Sequence, residues 1–266
     1  MQGQAPEVKV SQIDHNNIQE YLNYLEHTLR RSPRTINKTI AALKAYFRFL
    51  SDTGYGNDNR LAKIKAHKVS LSSQGKIHDK WLSRSEQHSL IKSIVSQKND
   101  FKLCRDLAVV DLMLLCGLKV SEVENLKIDD VAIDEKIKIN IRNSFGDNAI
   151  VQFSAKDGES LLWWLKFRSR SEKAIHAHSP YVFVSERSAR FSARGVQLML
   201  AKYAKMADII NLGCNRLRHT YCKNMADAGV DSKTLAQLAR YKNANYVHIY
   251  YDEKFEEVVS KSPDNI

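Results

Sequence analysis

The stretch SPRTINKTIAALKAYFRFL, residues 32–50, carries two patterns at once. Ile36, Ile40, Leu43, Phe47 and Leu50 recur at spacings of four and three, so on a helix they share one face. Ser32 is a suitable N-cap and Pro33 sits well at the first helical position, where its missing N–H costs nothing. At about 100° per residue, Arg34, Lys38, Lys44 and Arg48 gather on a second arc, centred roughly 140° from the apolar one. A helix resting on DNA phosphates needs a segregated basic face of this kind. A merely solvated face more often interleaves acids, and none falls between Arg34 and Arg48.

Outward from this helix the same logic gives a mainly α chain. Upstream, Ile18, Leu22, Leu25 and Leu29 predict a helix over 14–29. Downstream, Gly54 and Gly56 stop the basic helix. Residues 66–80 are polar, Ser-rich and aperiodic, as a linker is. Ser83 with Glu86 forms a capping-box pattern opening a helix to about Val95. Further helices are predicted near 103–116, 120–126, 157–168, 192–206, 216–228 and 231–240. Residues 136–141 and 149–153 alternate like strands around Asn143-Ser144-Phe145-Gly146-Asp147, a hairpin. The fold class is mainly α with one small sheet.

Composition narrows the function. The chain has 266 residues, 43% of them apolar, enough for a real core, and only 14 Gly plus Pro, which argues against disorder. Lys plus Arg number 41 against 30 Asp plus Glu, a net charge of +11. Divided at residue 75, the parts carry net +5 and +6, so both are basic, as a polyanion gripped by both parts requires. The apolar stretch 107–118 is broken by Asp111 and is too short to span a bilayer. No charged-then-apolar leader opens the chain, which argues against secretion. Cys104, Cys116, Cys214 and Cys222 show neither a CxxC pair nor a His at zinc spacing, so structural thiols in a reducing cytoplasm are expected.

Three stretches then fall into one series. Cys116-Gly117-Leu118-Lys119-Val120-Ser121-Glu122 resembles the first conserved box of the tyrosine recombinases, or phage integrases, usually "tGLRxSE". Asn215-Arg216-Leu217-Arg218-His219-Thr220 resembles their second box, "HxLRHT". From Arg218 the family pattern runs through an "AG" turn and an "IxxLLGH" helix to a nucleophilic tyrosine. Ala228-Gly229, residues 235–241 and Tyr250 stand at those offsets without a gap. The resemblance implies a two-domain architecture: a helical core-binding domain over 1–68, a linker over 69–80, and a catalytic domain with its C-terminal tail over 81–266.

It also implies a chemistry. A tyrosyl oxygen attacks a scissile phosphate of double-stranded DNA, giving a 3′-phosphotyrosyl link and a free 5′-hydroxyl, with no metal or nucleotide cofactor. Negative charge gathering on the phosphate oxygens calls for guanidinium forks, and the leaving oxygen for a general acid. By resemblance Tyr250 is the nucleophile, with Tyr251 as the fallback, and Arg218 is a phosphate clamp. His219 is expected to act structurally, by bonding neighbouring backbone. Lys119 takes the place of the first arginine and offers a point donor, not a planar fork. Asn215 stands where His or Lys is usual and cannot exchange a proton near neutrality. Tyr241 stands where His or Trp is usual. The general-acid lysine of the hairpin falls near Ser144, yet no lysine lies between Lys138 and Lys156, and the nearest cation, Arg142, does not release a proton.

Two functions stay open: a working, divergent site-specific recombinase or integrase, and a recombinase-like protein that binds DNA with feeble or absent cleavage. A basic helical regulator outside the family is a third, and the gap-free spacing counts against it. The resemblance implies a homotetramer on two DNA duplexes, in the cytoplasm. Phe255, Val258 and Val259 predict a short terminal helix that docks on a neighbouring protomer or folds back on its own domain.

Overall fold

The computed structural model describes residues 10–55, 61, 64–67, 80–142, 148–241 and 243–251. The chain divides into two compact units, Met1–Gly75 and Lys76–Ile266. Most of the expected linker, the hairpin turn at Ser144, and the terminal segment with Phe255, Val258 and Val259 lie outside the described residues.

In the first unit, α1 (His15–Asn23) begins with the Asp14 carboxylate accepting the Asn17 N–H at 2.9 Å. Helix α2 (Pro33–Asp52) begins where the Ser32 hydroxyl accepts the Thr35 N–H. Ile18, Leu22 and Leu25 meet Ile36, Ile40 and Phe47 in one core, with Leu61 and Ile64. Leu29 departs from the expected face and is exposed. The chain widens over Tyr24–Thr28 into a π-turn, in which the Leu29 N–H reaches back five residues to the Tyr24 carbonyl. The extra residue in that turn rotates Leu29 off the buried stripe.

The second unit is organised around α4 (Asp100–Leu115), which starts earlier than expected because Asn99 caps it through the Lys102 N–H. Its Ala108, Val109, Val110, Leu112 and Met113 are buried, so neighbours cover it on several sides. They include α3 (Arg84–Val95), α6 (Glu159–Ser169) and α9 (Cys214–Asp227). A buried polar link joins α4 to α8 (Ala193–Met206): Asp106 takes the Arg105 Nε–H at 2.8 Å and the Tyr203 hydroxyl at 2.9 Å. Between α5 (Val120–Asn125) and α6 lies an antiparallel sheet of β1 (Val131–Ile133), β2 (Lys136–Arg142) and β3 (Asn148–Ser154). The hairpin register runs from Lys136 opposite Ser154 to Arg142 opposite Asn148, with Ile137, Ile139 and Ile141 turned to the core. Strand β1 was not expected, because three residues are too few to display a period of two.

After α6 come a single turn, α7 (Ala174–Ala177), and a buried segment at Val182–Val184, which the Trp164 indole N–H ties to α6 through the Val182 carbonyl. Helix α9 is followed by α10 (Ser232–Leu238) and a 3₁₀ segment over Ala244–Tyr250. These close a small second core of Tyr221, Cys222, Leu235, Ala236, Ala239, Val247 and Tyr250. Among the described residues, no helix is long and apolar enough to cross a membrane.

Candidate active site

The second-box residues form the middle of α9, whose helical rotation splits their duties. Leu217 and Thr220 turn to the core. The Thr220 hydroxyl accepts the Leu82 N–H at 2.9 Å and donates to the Arg216 carbonyl at 2.8 Å. Arg216 holds the start of α3 through Glu86 at 2.8 Å. These bonds fix Trp81 against the Tyr250 ring, with centroids 6.0 Å apart.

Arg218 is buried, 5% exposed, and its guanidinium donates to the Gly117 and Ala239 carbonyls. It also lies 5.0 Å from the Tyr241 ring centroid, a cation–π contact. The first box therefore meets the second through backbone: Gly117 turns in the left-handed region, φ +57°, and presents its carbonyl to Arg218. A side chain at Gly117 would strike the Tyr221 ring, so this turn requires glycine.

Tyr250 brings its hydroxyl to the same place. It shares a 2.5 Å hydrogen bond with His219 Nδ1 and a 3.2 Å bond with the Tyr241 hydroxyl. Lys223 steadies the segment from below, bonding the Tyr250 carbonyl at 3.3 Å. Tyr250 is 1% exposed, and burial pushes its phenol far above the ordinary tyrosine range, with Cys222 and Tyr241 adding to the effect. Burial also holds the His219 imidazole below its ordinary value of 6.5, assisted by the positive charges of Arg218 and Lys80. A neutral phenol and a neutral imidazole thus share this hydrogen bond. His219 corrects the expectation that it bonds backbone, since its partner is the tyrosyl oxygen 31 residues away.

The competing tyrosines point elsewhere. Tyr251 donates to the Val230 carbonyl at 2.5 Å, and Tyr246 is mostly exposed with its ring against Tyr241. The structure therefore gathers Tyr250, Tyr241, Arg218 and His219. Lys119 is exposed at the start of α5, two residues beyond the Gly117 carbonyl, and its N–H bonds Glu122 Oε2 at 2.8 Å. Asn215 is exposed on the first turn of α9, and the hydrogen bonds of the Tyr250 hydroxyl go to His219 and Tyr241 instead. Arg142 is held by Asp130 at 2.7 Å. Arg34, Lys38, Lys44 and Arg48 are exposed on α2, and among the described residues none of them forms an ion pair.

One residue of this neighbourhood escaped the sequence reading. Arg240, just after α10, pairs with Glu122 through two nitrogens, at 2.9 and 3.2 Å, and bonds the Gly117 carbonyl at 2.8 Å. A signal was available: Arg240 occupies the glycine position of the "IxxLLGH" pattern.

The Phage integrase family profile matches residues 80–257. Tyrosine recombinase XerA of Pyrococcus horikoshii is 30% identical over 222 residues, spanning 82% of this chain and 69% of that protein. Tyrosine recombinase XerC of Caldanaerobacter subterraneus subsp. tengcongensis is 26% identical over 264 residues, spanning 96% of this chain and 70% of that protein. In fold, the chain resembles the crystal structure of XerH site-specific recombinase bound to difH substrate, with TM-score 0.71 at 19% identity, covering 94% of this chain and 70% of that one. With its boxes in order, its profile match over most of its length and a close relative in XerA, the chain belongs to the phage integrase family, the tyrosine-type site-specific recombinases.

Proposed function

We propose that this chain cuts and rejoins double-stranded DNA at a specific site through a 3′-phosphotyrosyl intermediate, with Tyr250 as nucleophile. The carrying observation is the Tyr250 hydroxyl, bonded to His219 Nδ1 at 2.5 Å beside the buried Arg218. On attack, the tyrosyl oxygen forms its bond to phosphorus, its proton passes to His219, and the bond to the 5′-oxygen breaks. Arg218 and Lys119 take up charge on the phosphate oxygens, and Tyr241 donates from its hydroxyl. Asn215 serves as a hydrogen-bond donor at the edge of the site. With no lysine between Lys138 and Lys156, the 5′-oxygen takes its proton from water. Religation runs the same steps backwards, and the imidazolium returns its proton to the tyrosyl oxygen.

Since Tyr250 is 1% exposed, the Ala244–Tyr250 segment shifts when DNA binds, bringing the hydroxyl to the phosphate. The exposed cations Arg34, Lys38, Lys44 and Arg48 bind flanking phosphates. The assembly is a homotetramer on two duplexes, acting in the cytoplasm. XerH, bound to its difH substrate, supports DNA as the partner by analogy of fold.

A second reading, DNA binding without cleavage, draws support from the same burial of Tyr250 and from lysine at position 119. Duplexes selected by this protein from a random pool, then nicked to trap the intermediate, separate the two. A protein–DNA adduct that survives denaturation supports cleavage. Retention of the selected duplex with no adduct leaves the binding-only reading standing.

A further inference from the structure

Arg240 adopts φ +54°, in the left-handed region that favours glycine and burdens other side chains. An arginine that stays there is held by its side chain. Its Nε and Nη2 meet both Glu122 oxygens, Nη2 reaches the Gly117 carbonyl, and Nη1 reaches the Leu238 carbonyl at 2.9 Å. Both partners of the ion pair are largely buried, about nine-tenths of each side chain.

These bonds tie the end of α10 to α5 and to the Gly117 turn. Arg218 and Arg240 donate to one oxygen, the Gly117 carbonyl. Arg218 takes its other carbonyl from Ala239, next to Arg240 in the chain. Glu122 Oε2 receives both the Lys119 N–H and Arg240 Nη2. Two guanidinium groups converging on one oxygen repel each other, and the Glu122 carboxylate offsets the charge of Arg240. The charge of Arg218 is left for an incoming anion.

We propose that Arg240 is a positioning residue: it sets the carbonyls that aim Arg218 and the carboxylate that anchors the Lys119 backbone, so that both cations face the phosphate as one unit. This inference rests on the reading of Arg218 and Lys119 as phosphate-facing groups. A merely structural ion pair differs from it in what glycine does at position 240. Glycine fits the left-handed backbone, so Arg240→Gly relieves strain and the fold should persist, which a melting curve verifies.

On nicked duplexes at saturating protein, Arg240→Gly should form adduct about 10- to 100-fold more slowly, as misplaced catalytic groups do, with DNA affinity within about twofold of the parent. Glu122→Gln, which leaves Arg240 in place, should slow it in the same direction. Arg240→Lys should recover only part of the rate, because one ammonium cannot hold the carboxylate and the Gly117 carbonyl together. Adduct formation by Arg240→Gly at the parental rate overturns the proposal. A second readout needs no cleavage: the ¹⁵N resonance of the Arg218 guanidinium in the free protein. It should shift in Arg240→Gly. An unmoved resonance overturns the proposal, and a shifted one supports it even if the parent chain forms no adduct.

Discussion

Two sets of cations in this recombinase stand in opposite conditions. On α2, Arg34, Lys38, Lys44 and Arg48 are exposed and, among the described residues, without ion pairs. Around the Gly117 turn, Arg218 and Arg240 are buried or nearly so, each donating to fixed backbone carbonyls. In the role proposed for them, the exposed α2 cations would act through net charge, which salt screens. The buried pair has lost that freedom before any DNA arrives, which suits a transition state needing donors aimed at set positions. Sequence position conveys sign in both cases; only burial converts sign into direction.

The largest break in this division comes from Tyr250, the proposed nucleophile. Tyr250→Phe should abolish the covalent adduct while leaving duplex affinity unchanged, because the ring still fills its site against Trp81. An adduct formed by that variant transfers the role to Tyr251 or Tyr246. Next, Arg218→Ala should slow adduct formation about 10³-fold, the upper range for loss of one preorganised donor. It should also lower the denaturation midpoint, since the Gly117 and Ala239 carbonyls lose their buried partner. An equal loss from Lys38→Ala would erase the distinction between the two sets.

Lys119→Arg sharpens it from the other side. A planar fork can meet two phosphate oxygens where an ammonium meets one, so adduct formation should rise by about 10-fold or more at unchanged affinity. A null result assigns the rate limit to the leaving 5′-oxygen. Neutralising Lys38, Lys44 and Arg48 together should act on binding alone. The slope of log affinity against log salt should shrink by about 0.9 for each lost phosphate contact, with the adduct rate at saturation unaltered. An unchanged slope takes α2 off the DNA.

The smallest effect is one of pH. Above its ordinary value of 6.5 the His219 imidazole is neutral in both folded and unfolded chains, and this group contributes no pH dependence. As pH falls through 6.5, the unfolded chain takes up a proton that the buried, depressed imidazole refuses, so stability declines until the folded value is reached and then levels off. Urea midpoints should fall over that window for the parent and less for His219→Gln. If His219 accepts the tyrosyl proton as proposed, the acid limb of adduct formation should likewise begin below 6.5.

Much of the fold was legible because its signals are local. The Ser32 cap with Pro33 at the first turn fixed the start of α2, and the spacing of Ile36, Ile40 and Phe47 fixed its buried face. The Ser83–Glu86 capping box opened α3 in the same way. Leu29 misled, because a π-turn upstream alters the period without altering composition. Strand β1 was invisible because only pairing with β2, Val131 opposite Ile139, makes it a strand.

For the site, motif order placed Arg218 and Tyr250 in one neighbourhood, and the residue types told which charges and nucleophiles were on hand. The sequence by itself determined most of the helices, the basic arc of α2 and the four substituted positions at Lys119, Asn215, Tyr241 and Ser144. Tertiary structure alone decided that His219 meets the tyrosyl oxygen and that Arg240 reaches Glu122 across 118 residues. It also decided which of three neighbouring tyrosines is buried beside them. Periodicity and capping depend on residues a few positions apart, which a sequence displays directly. A hydrogen bond between distant residues depends on how helices pack, and on a left-handed turn at Arg240 that no local preference of arginine predicts.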